Sequence, residues 1–305
     1  MRYRFVTADV FTDRAFGGNP LAVLLDAGGL ADQQMQAVAR EFNLSETVFV
    51  LPPDDPAHTR QLRIFTPAQE VPFAGHPTVG SALILAATGA LELAGESTRI
   101  TFEERAGPVP VTIRAAGGRA SFAQLTAPAA PEVRLAPAPD AIAALLSLTP
   151  AELSTDGGLP AFVSCGLPFL IVELRDAAAL GRARPDLAVW PKLLGDAWAT
   201  GAYLITRDAD AADADFRVRM FAPTAGVAED PATGSAAAAL GGWLGLRETP
   251  PEGTQRRLIA QGIEMGRPSR LEVEIEKRAG TVTAVRVGGS AVLVSEGTIE
   301  VPATG

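Results

Sequence analysis

Over most of the chain, apolar and polar residues alternate in short blocks bounded by glycine and proline, the pattern of half-buried strands. Residues 5–11, 22–25, 47–51, 60–65, 99–103 and 109–113 carry β-branched or aromatic side chains in this way and are predicted as strands. One stretch changes to a helical period. Met35, Val38, Ala39 and Phe42 share one face of a helix predicted over 32–42, with Asp32 as its cap. Two more helices are predicted after Pro77 and after Pro231, and these have apolar or small residues on every face. A helix with no polar face is not a surface helix, so each should be surrounded by protein.

The same pattern occurs twice. Arg63-Ile64-Phe65-Thr66-Pro67 matches Arg219-Met220-Phe221-Ala222-Pro223, and His76-Pro77-Thr78-Val79-Gly80-Ser81-Ala82 matches Asp230-Pro231-Ala232-Thr233-Gly234-Ser235-Ala236. Fainter echoes keep the order: Gly18-Asn19-Pro20-Leu21-Ala22-Val23 with Gly166-Leu167-Pro168-Phe169-Leu170-Ile171, and Arg105-Ala106-Gly107 with Arg278-Ala279-Gly280. Collinear matches across both halves imply an ancestral duplication. The expected fold class is α+β, with two pseudo-symmetric domains, each a curved β-sheet or barrel wrapped around a central α-helix. The halves are expected at 1–128 and 140–290, with the Pro/Ala-rich run 129–139 as linker. The C-terminal strand, about 291–305, is a candidate addition to the first half.

Composition narrows the function. The 305 residues include 35 acidic and 26 basic side chains, a formal charge of −9. Nucleic-acid affinity rests on neutralising phosphates with Lys and Arg, so no nucleic-acid partner is expected. The uncharged apolar stretches 79–91 and 232–246 fall short of the roughly 20 residues that span a bilayer, so no membrane partner is expected either. A lone Cys165 and an N-terminus that reaches Asp9 without an apolar signal region point to the cytoplasm. Phosphate-binding glycine loops, the His-Glu-x-x-His motif and the Gly-x-Ser-x-Gly elbow are all missing, and with two histidines no metal site is expected.

Attention falls on the repeated turns at His76-Pro77 and Asp230-Pro231. Asp before a helix-starting Pro reads by itself as a cap, so Asp230 is open between structure and function. Histidine is not a favoured cap, and His76 is open between a satisfied residue at a buried helix entrance and a functional group. If the halves pack about a pseudo-twofold axis, both helix N-termini can present N–H groups and positive dipole ends to one small carboxylate. Glu46, where helix gives way to apolar strand, is the candidate base. Burial would raise its pKa above the ordinary 4.3 or so and suit it to proton transfer, whereas a solvated strand-end glutamate would have no such role. Cys165 reads as a packing thiol.

At these residues the sequence resembles a known family. Asp9-Val10-Phe11-Thr12, Phe16-Gly17-Gly18-Asn19-Pro20-Leu21-Ala22-Val23, Asn43-Leu44-Ser45-Glu46-Thr47 and Phe73-Ala74-Gly75-His76-Pro77-Thr78 look like signatures of the phenazine-biosynthesis isomerase (PhzF-like) family. So do Glu229-Asp230-Pro231-Ala232-Thr233-Gly234-Ser235-Ala236 and Gln261-Gly262-Ile263-Glu264-Met265-Gly266-Arg267-Pro268-Ser269. The resemblance implies a diaminopimelate-epimerase-like fold with the active site between its halves, and cofactor-free isomerisation by one glutamate that removes and returns a proton. That glutamate falls on Glu46, and the supporting residues fall on His76, Asp230 and Ser235. Ser45, Gly75, Thr233, Gly234 and Ser235 are then the candidate substrate-binding residues. The implied partner is a small carboxylated metabolite, with dihydro-hydroxyanthranilate as the founding example, and a homodimer is the expected assembly. Cysteine epimerases of this fold place a thiol in each repeated turn; neither turn here holds one. An epimerase or lyase on the same scaffold, or a non-catalytic metabolite-binding protein, are the alternatives.

Overall fold

The computed structural model describes residues 1–154, 158–195, 197–199, 201–209, 213–247 and 252–303. The chain divides into two compact units, Met1–Pro128 with Val287–Gly305, and Ala129–Arg286. In chain order the elements begin β1 (Arg2–Val10), β2 (Asn19–Leu24), α1 (Asp32–Phe42), β3 (Glu46–Leu51), β4 (Arg60–Phe65), β5 (Glu70–Val71) and α2 (Gly75–Ala87). Next come β6 (Ser97–Glu104), β7 (Gly107–Ala116), β8 (Arg119–Thr126), β9 (Glu132–Leu135), α3 (Pro139–Leu145), β10 (Ala161–Ser164) and β11 (Pro168–Glu173). They continue with α4 (Ala177–Arg182), α5 (Trp190–Leu194), β12 (Gly201–Thr206), β13 (Phe216–Ala222), β14 (Val227–Asp230) and α6 (Gly234–Arg247). The last four are β15 (Gly253–Gln261), β16 (Ser269–Arg278), β17 (Thr281–Gly289) and β18 (Ala291–Glu300).

The fold is α+β, and the two units repeat one topology. In the first, β1 and β2 pair antiparallel, β2 and β3 parallel, β3 and β4 antiparallel, β4 and β6 parallel, and β6 and β7 antiparallel. In the second, the same sequence of pairings joins β10 to β11, β11 to β12, β12 to β13, β13 to β15 and β15 to β16. The first sheet curls around α2, which packs on β1, β2, β3, β7, β8 and β18, and the second carries α6 on β10, β11 and β16. Every residue of α2 from Gly75 to Leu85, and of α6 from Gly234 to Gly245, is buried. Absence of a polar face thus has its expected consequence. Close approach needs the small residues. A Cβ on Gly80 would lie 2.5 Å from Leu21 Cδ2 and 2.6 Å from Val10 Cγ2, and one on Gly241 would lie 2.6 Å from Val273 Cγ1.

Some local expectations change. Asp32 is the first residue of α1 and not its cap; Ala31 holds that position, with its N–H donated to the Gln34 side chain at 2.8 Å, while Asp32 pairs with Arg63. The run 129–139 holds the strand β9, which pairs antiparallel with β10, and the first residue of α3. Alternation over Glu132–Leu135 gives the pairing, because a Pro-flanked run can still donate its ladder hydrogen bonds between the prolines. β18 pairs along the whole of β1, from Arg2 opposite Glu300 to Val10 opposite Ala291. Among the described residues no helix is long and apolar enough to cross a membrane.

Candidate active site

Helix α1 ends at Asn43, whose left-handed backbone (φ 51°) turns the chain and returns its N–H to Ala39 O. Asparagine tolerates that conformation, so the strand can begin three residues later with Glu46 at its first position. The parallel register sets Glu46 opposite Leu21. His76 lies in the first turn of α2, buried, and its Nε2 is 3.3 Å from Glu46 Oε2. The two residues singled out from separate motifs thus meet in one unit. The distance is that of an ion pair, but burial pushes the His76 pKa down to about 3, so at neutral pH Glu46 faces an uncharged ring.

The helix entrances differ from expectation. α2 begins two residues before Pro77, so Pro77 sits third, where its missing N–H is still free of cost. Thr78 N–H makes the first intrahelical bond, to Ala74 O, so the N–H groups of Gly75 and His76 precede the hydrogen-bond ladder. α6 begins three residues after Pro231, with Ala237 N–H bonded to Thr233 O, so Gly234 and Ser235 have the same relation to their helix. Asp230 therefore is not the residue adjoining the helix. It closes β14, and its Oδ2 accepts the Thr233 hydroxyl at 2.6 Å. Ser235 is buried; Ser45 is partly exposed in the turn before β3.

The duplication is chemically asymmetric. Leu21 and Phe169 are matched in the repeat; Leu21 faces Glu46, and Phe169 faces Gly201 in the parallel pairing of β11 with β12. Where the first unit has a carboxylate, the second has no side chain. His76 corresponds to Asp230. The arginines of the longer echo keep one role: Arg63 clasps Glu70 with bonds of 2.8 and 2.7 Å, and Arg219 clasps Glu229 with 2.7 and 2.8 Å.

Sequence reading missed a second layer. Thr98, Ile100, Phe102 and Glu104 share the inward face of β6, and Glu104 reaches the α2 entrance, where its Oε1 lies 2.5 Å from the Thr78 hydroxyl. A charged residue continuing an otherwise inward-facing alternation was the available signal. Burial pushes its pKa up to about 8, against the pull of the Thr78 bond and the Ala74 N–H. In the second unit the last residue of the equivalent strand β15 is Gln261, which accepts the Thr233 N–H at 3.1 Å and donates to Asp230 O at 2.8 Å. A cavity of about 630 Å³ in this unit is lined by residues including Arg184, Arg219, Phe221, Glu229 and Glu264, and by none of the predicted site residues. Cys165 is buried with its pKa pushed up to about 12, in keeping with a packing thiol. Among the described residues no His, Cys, Asp and Glu cluster could hold a metal ion.

A curved sheet around a buried helix, present twice, defines the diaminopimelate-epimerase-like class. A hydroxyproline epimerase from Agrobacterium vitis shares that fold, with a TM-score of 0.69 at 15% identity over 98% of this chain and 92% of its own. The chain belongs to the phenazine biosynthesis-like (PhzC-PhzF) family, whose model matches residues 8–297. It is similar to an uncharacterized isomerase of Mesorhizobium japonicum, 45% identical over 96% of this chain and 97% of that protein. It is also similar to the trans-2,3-dihydro-3-hydroxyanthranilate isomerase of Pseudomonas aeruginosa, 35% identical over 97% and 98% of the two chains. A PhzF-family phenazine biosynthesis protein of Bacillus anthracis superposes with a TM-score of 0.88 at 26% identity, covering 99% of this chain and all of its own.

Proposed function

We propose that this member of an isomerase family shifts a proton within a small cyclic or unsaturated carboxylic acid, with Glu46 as the group that takes the proton and returns it. One C–H bond breaks as its electron pair moves into the unsaturated system, the double bond shifts, and the Glu46 proton forms a new C–H bond elsewhere on the same molecule. No electrons are gained or lost, so the chain's own groups suffice. The dihydro-hydroxyanthranilate of the Pseudomonas aeruginosa relative is the first substrate to test.

The supporting observation is the contact of Glu46 with His76 at 3.3 Å beside the buried entrance of α2. A partly buried carboxyl group beside an uncharged imidazole is the kind of group that can take a proton and return it. Gly201 at the matching register position favours one base over two, and the sole cysteine is buried away from both repeated turns in sequence. Gly75 and His76 N–H groups suit the substrate carboxylate, for they lie at a positive helix end ahead of the hydrogen-bond ladder. We assign Ser45 to the same task as neighbour of Glu46. Asp230, Thr233, Gly234 and Ser235 are assigned to orienting the substrate, because they repeat the α2 entrance in the second unit.

The experiment is proton NMR of trans-2,3-dihydro-3-hydroxyanthranilate and a panel of related cyclic acids in D₂O. Wild type should rearrange one of them. Glu46→Gln should be slower by about 10²–10⁴-fold, the usual worth of a positioned acid/base, with folding intact. Wild-type turnover in Glu46→Gln overturns the assignment, and rearrangement of none of the acids removes the substrate class.

A further inference from the structure

We propose that Glu104 is a positioning residue of this site, carried as a neutral carboxylic acid that donates its proton to Thr78 and so leaves the positive end of α2 uncompensated for a substrate carboxylate. The inference rests on the reading of the α2 entrance as the carboxylate seat.

Three observations carry it. Thr78 Oγ1 lies 2.7 Å from Ala74 O and 2.5 Å from Glu104 Oε1, but a hydroxyl has one proton. If Thr78 donates to the carbonyl one turn back, the shorter contact needs a proton from Glu104. Glu104 Oε2 is buried without a hydrogen-bond partner. An ionised carboxylate with a bare buried oxygen is costly, whereas a carbonyl oxygen of a neutral acid is much less so. The third observation comes from the duplication. Gln261, a neutral isostere, ends the equivalent strand and takes the N–H of Thr233, the residue before α6. Glu104 stands at the same place with respect to Ala74, whose backbone N–H pulls towards the ionised form but is outweighed by burial.

A neutral group here matters because charge at a helix N-terminus competes with charge bound there. Glu104 as carboxylate would put a negative charge at the α2 entrance, against Thr78 and the Ala74 N–H, and repel a second anion there. Other titratable groups on the surrounding elements include His76 on α2, the buried Asp9 on β1, Glu46 on β3, Arg60 and Arg63 on β4, Glu70 on β5, Glu103 on β6 with Arg105 after it, Arg114 on β7, Arg119 on β8 and Glu296 on β18. His76 stays neutral above about pH 3, and Glu70 is held by Arg63 and Arg105. Any contribution of Glu46 is retained in a Glu104→Gln variant.

The test labels glutamate at Cδ with ¹³C and measures anthranilate affinity, as an unreactive aromatic carboxylate, in wild type, Glu104→Gln and Glu104→Ala. Wild type at pH 6 should give one protonated-carboxyl signal that is missing in Glu104→Gln and moves only above about pH 7. Its anthranilate affinity should fall roughly tenfold between pH 6.5 and 9. Glu104→Gln should hold the pH 6.5 affinity across that range, while Glu104→Ala, leaving Thr78 without its partner, should bind more weakly at every pH. A Glu104 signal already ionised at pH 6, or the same alkaline loss in Glu104→Gln, overturns the proposal. The carbon titration needs neither ligand nor turnover, so a failed Glu46 assignment leaves its outcome intact.

Discussion

Gly80 sits in the middle of α2 against β1 and β2, and replacing it with alanine sets two effects against each other. Helix propensity favours alanine by about 0.8–1.0 kcal/mol. Packing opposes it, since the new methyl would lie 2.5 Å from Leu21 Cδ2 and 2.6 Å from Val10 Cγ2. Carbon contacts are comfortable at about 3.5–4.0 Å, so something must move by roughly 1 Å. Val10 is β-branched and stiff, and both it and Leu21 are fully buried. Overpacking of this kind costs about 1–3 kcal/mol. Packing should win, with a net loss of about 1–2 kcal/mol in urea unfolding and a fall of roughly 2–8 °C in Tm. If α2 yields instead of the sheet, His76 moves relative to Glu46. A misplacement near 1 Å can cost about 100-fold in rate, so turnover should fall more than stability suggests. A Gly80→Ala protein more stable than wild type and equally active would refute the packing argument and leave propensity as the deciding effect.

The repeated arginines should differ in cost. Arg219 is 4% exposed and serves Glu229 together with the carbonyls of Leu180 and Ala183, so Arg219→Ala should destabilise by about 3–5 kcal/mol in urea. Arg63→Ala should cost less, because Glu70 keeps Arg105 at 2.8 Å. The pH profile of stability follows from the two buried groups at the α2 entrance, Glu104 from β6 and His76 from α2 itself. The Glu104 pKa is raised, so its contribution is complete below about 4.5 and is lost as pH rises to about 8. The His76 pKa is lowered, so its contribution is complete above about 6.5 and is lost as pH falls towards 3. Each pH unit is worth about 1.4 kcal/mol per group, so Glu104→Gln should remove a loss of up to about 5 kcal/mol on the alkaline side. Urea midpoints from pH 4 to 9 decide this, and an unchanged alkaline slope in Glu104→Gln contradicts it.

The duplication, the helical and extended periods, and the buried character of both central helices were legible along the chain. Each is written in side-chain spacing, which acts locally. Glu46 and His76 were legible as separate candidates, because one stands where helix gives way to apolar strand and the other broke the rules of helix capping. Their contact was not legible. It depends on the parallel register that sets Glu46 opposite Leu21 and on α2 starting at Gly75, both fixed by packing of segments distant in sequence. The helix starts were misplaced too: Pro77 sits third in α2 and Pro231 lies three residues ahead of α6, so proline marks a region and not a residue. Glu104 shows the limit most plainly. Alternation in β6 could have turned it inward, but only the tertiary structure put it beside Thr78, and the meaning of a buried carboxylate lies in its neighbours. Sequence gives a group its chemistry; the protons and charges it holds are set by what surrounds it in the fold.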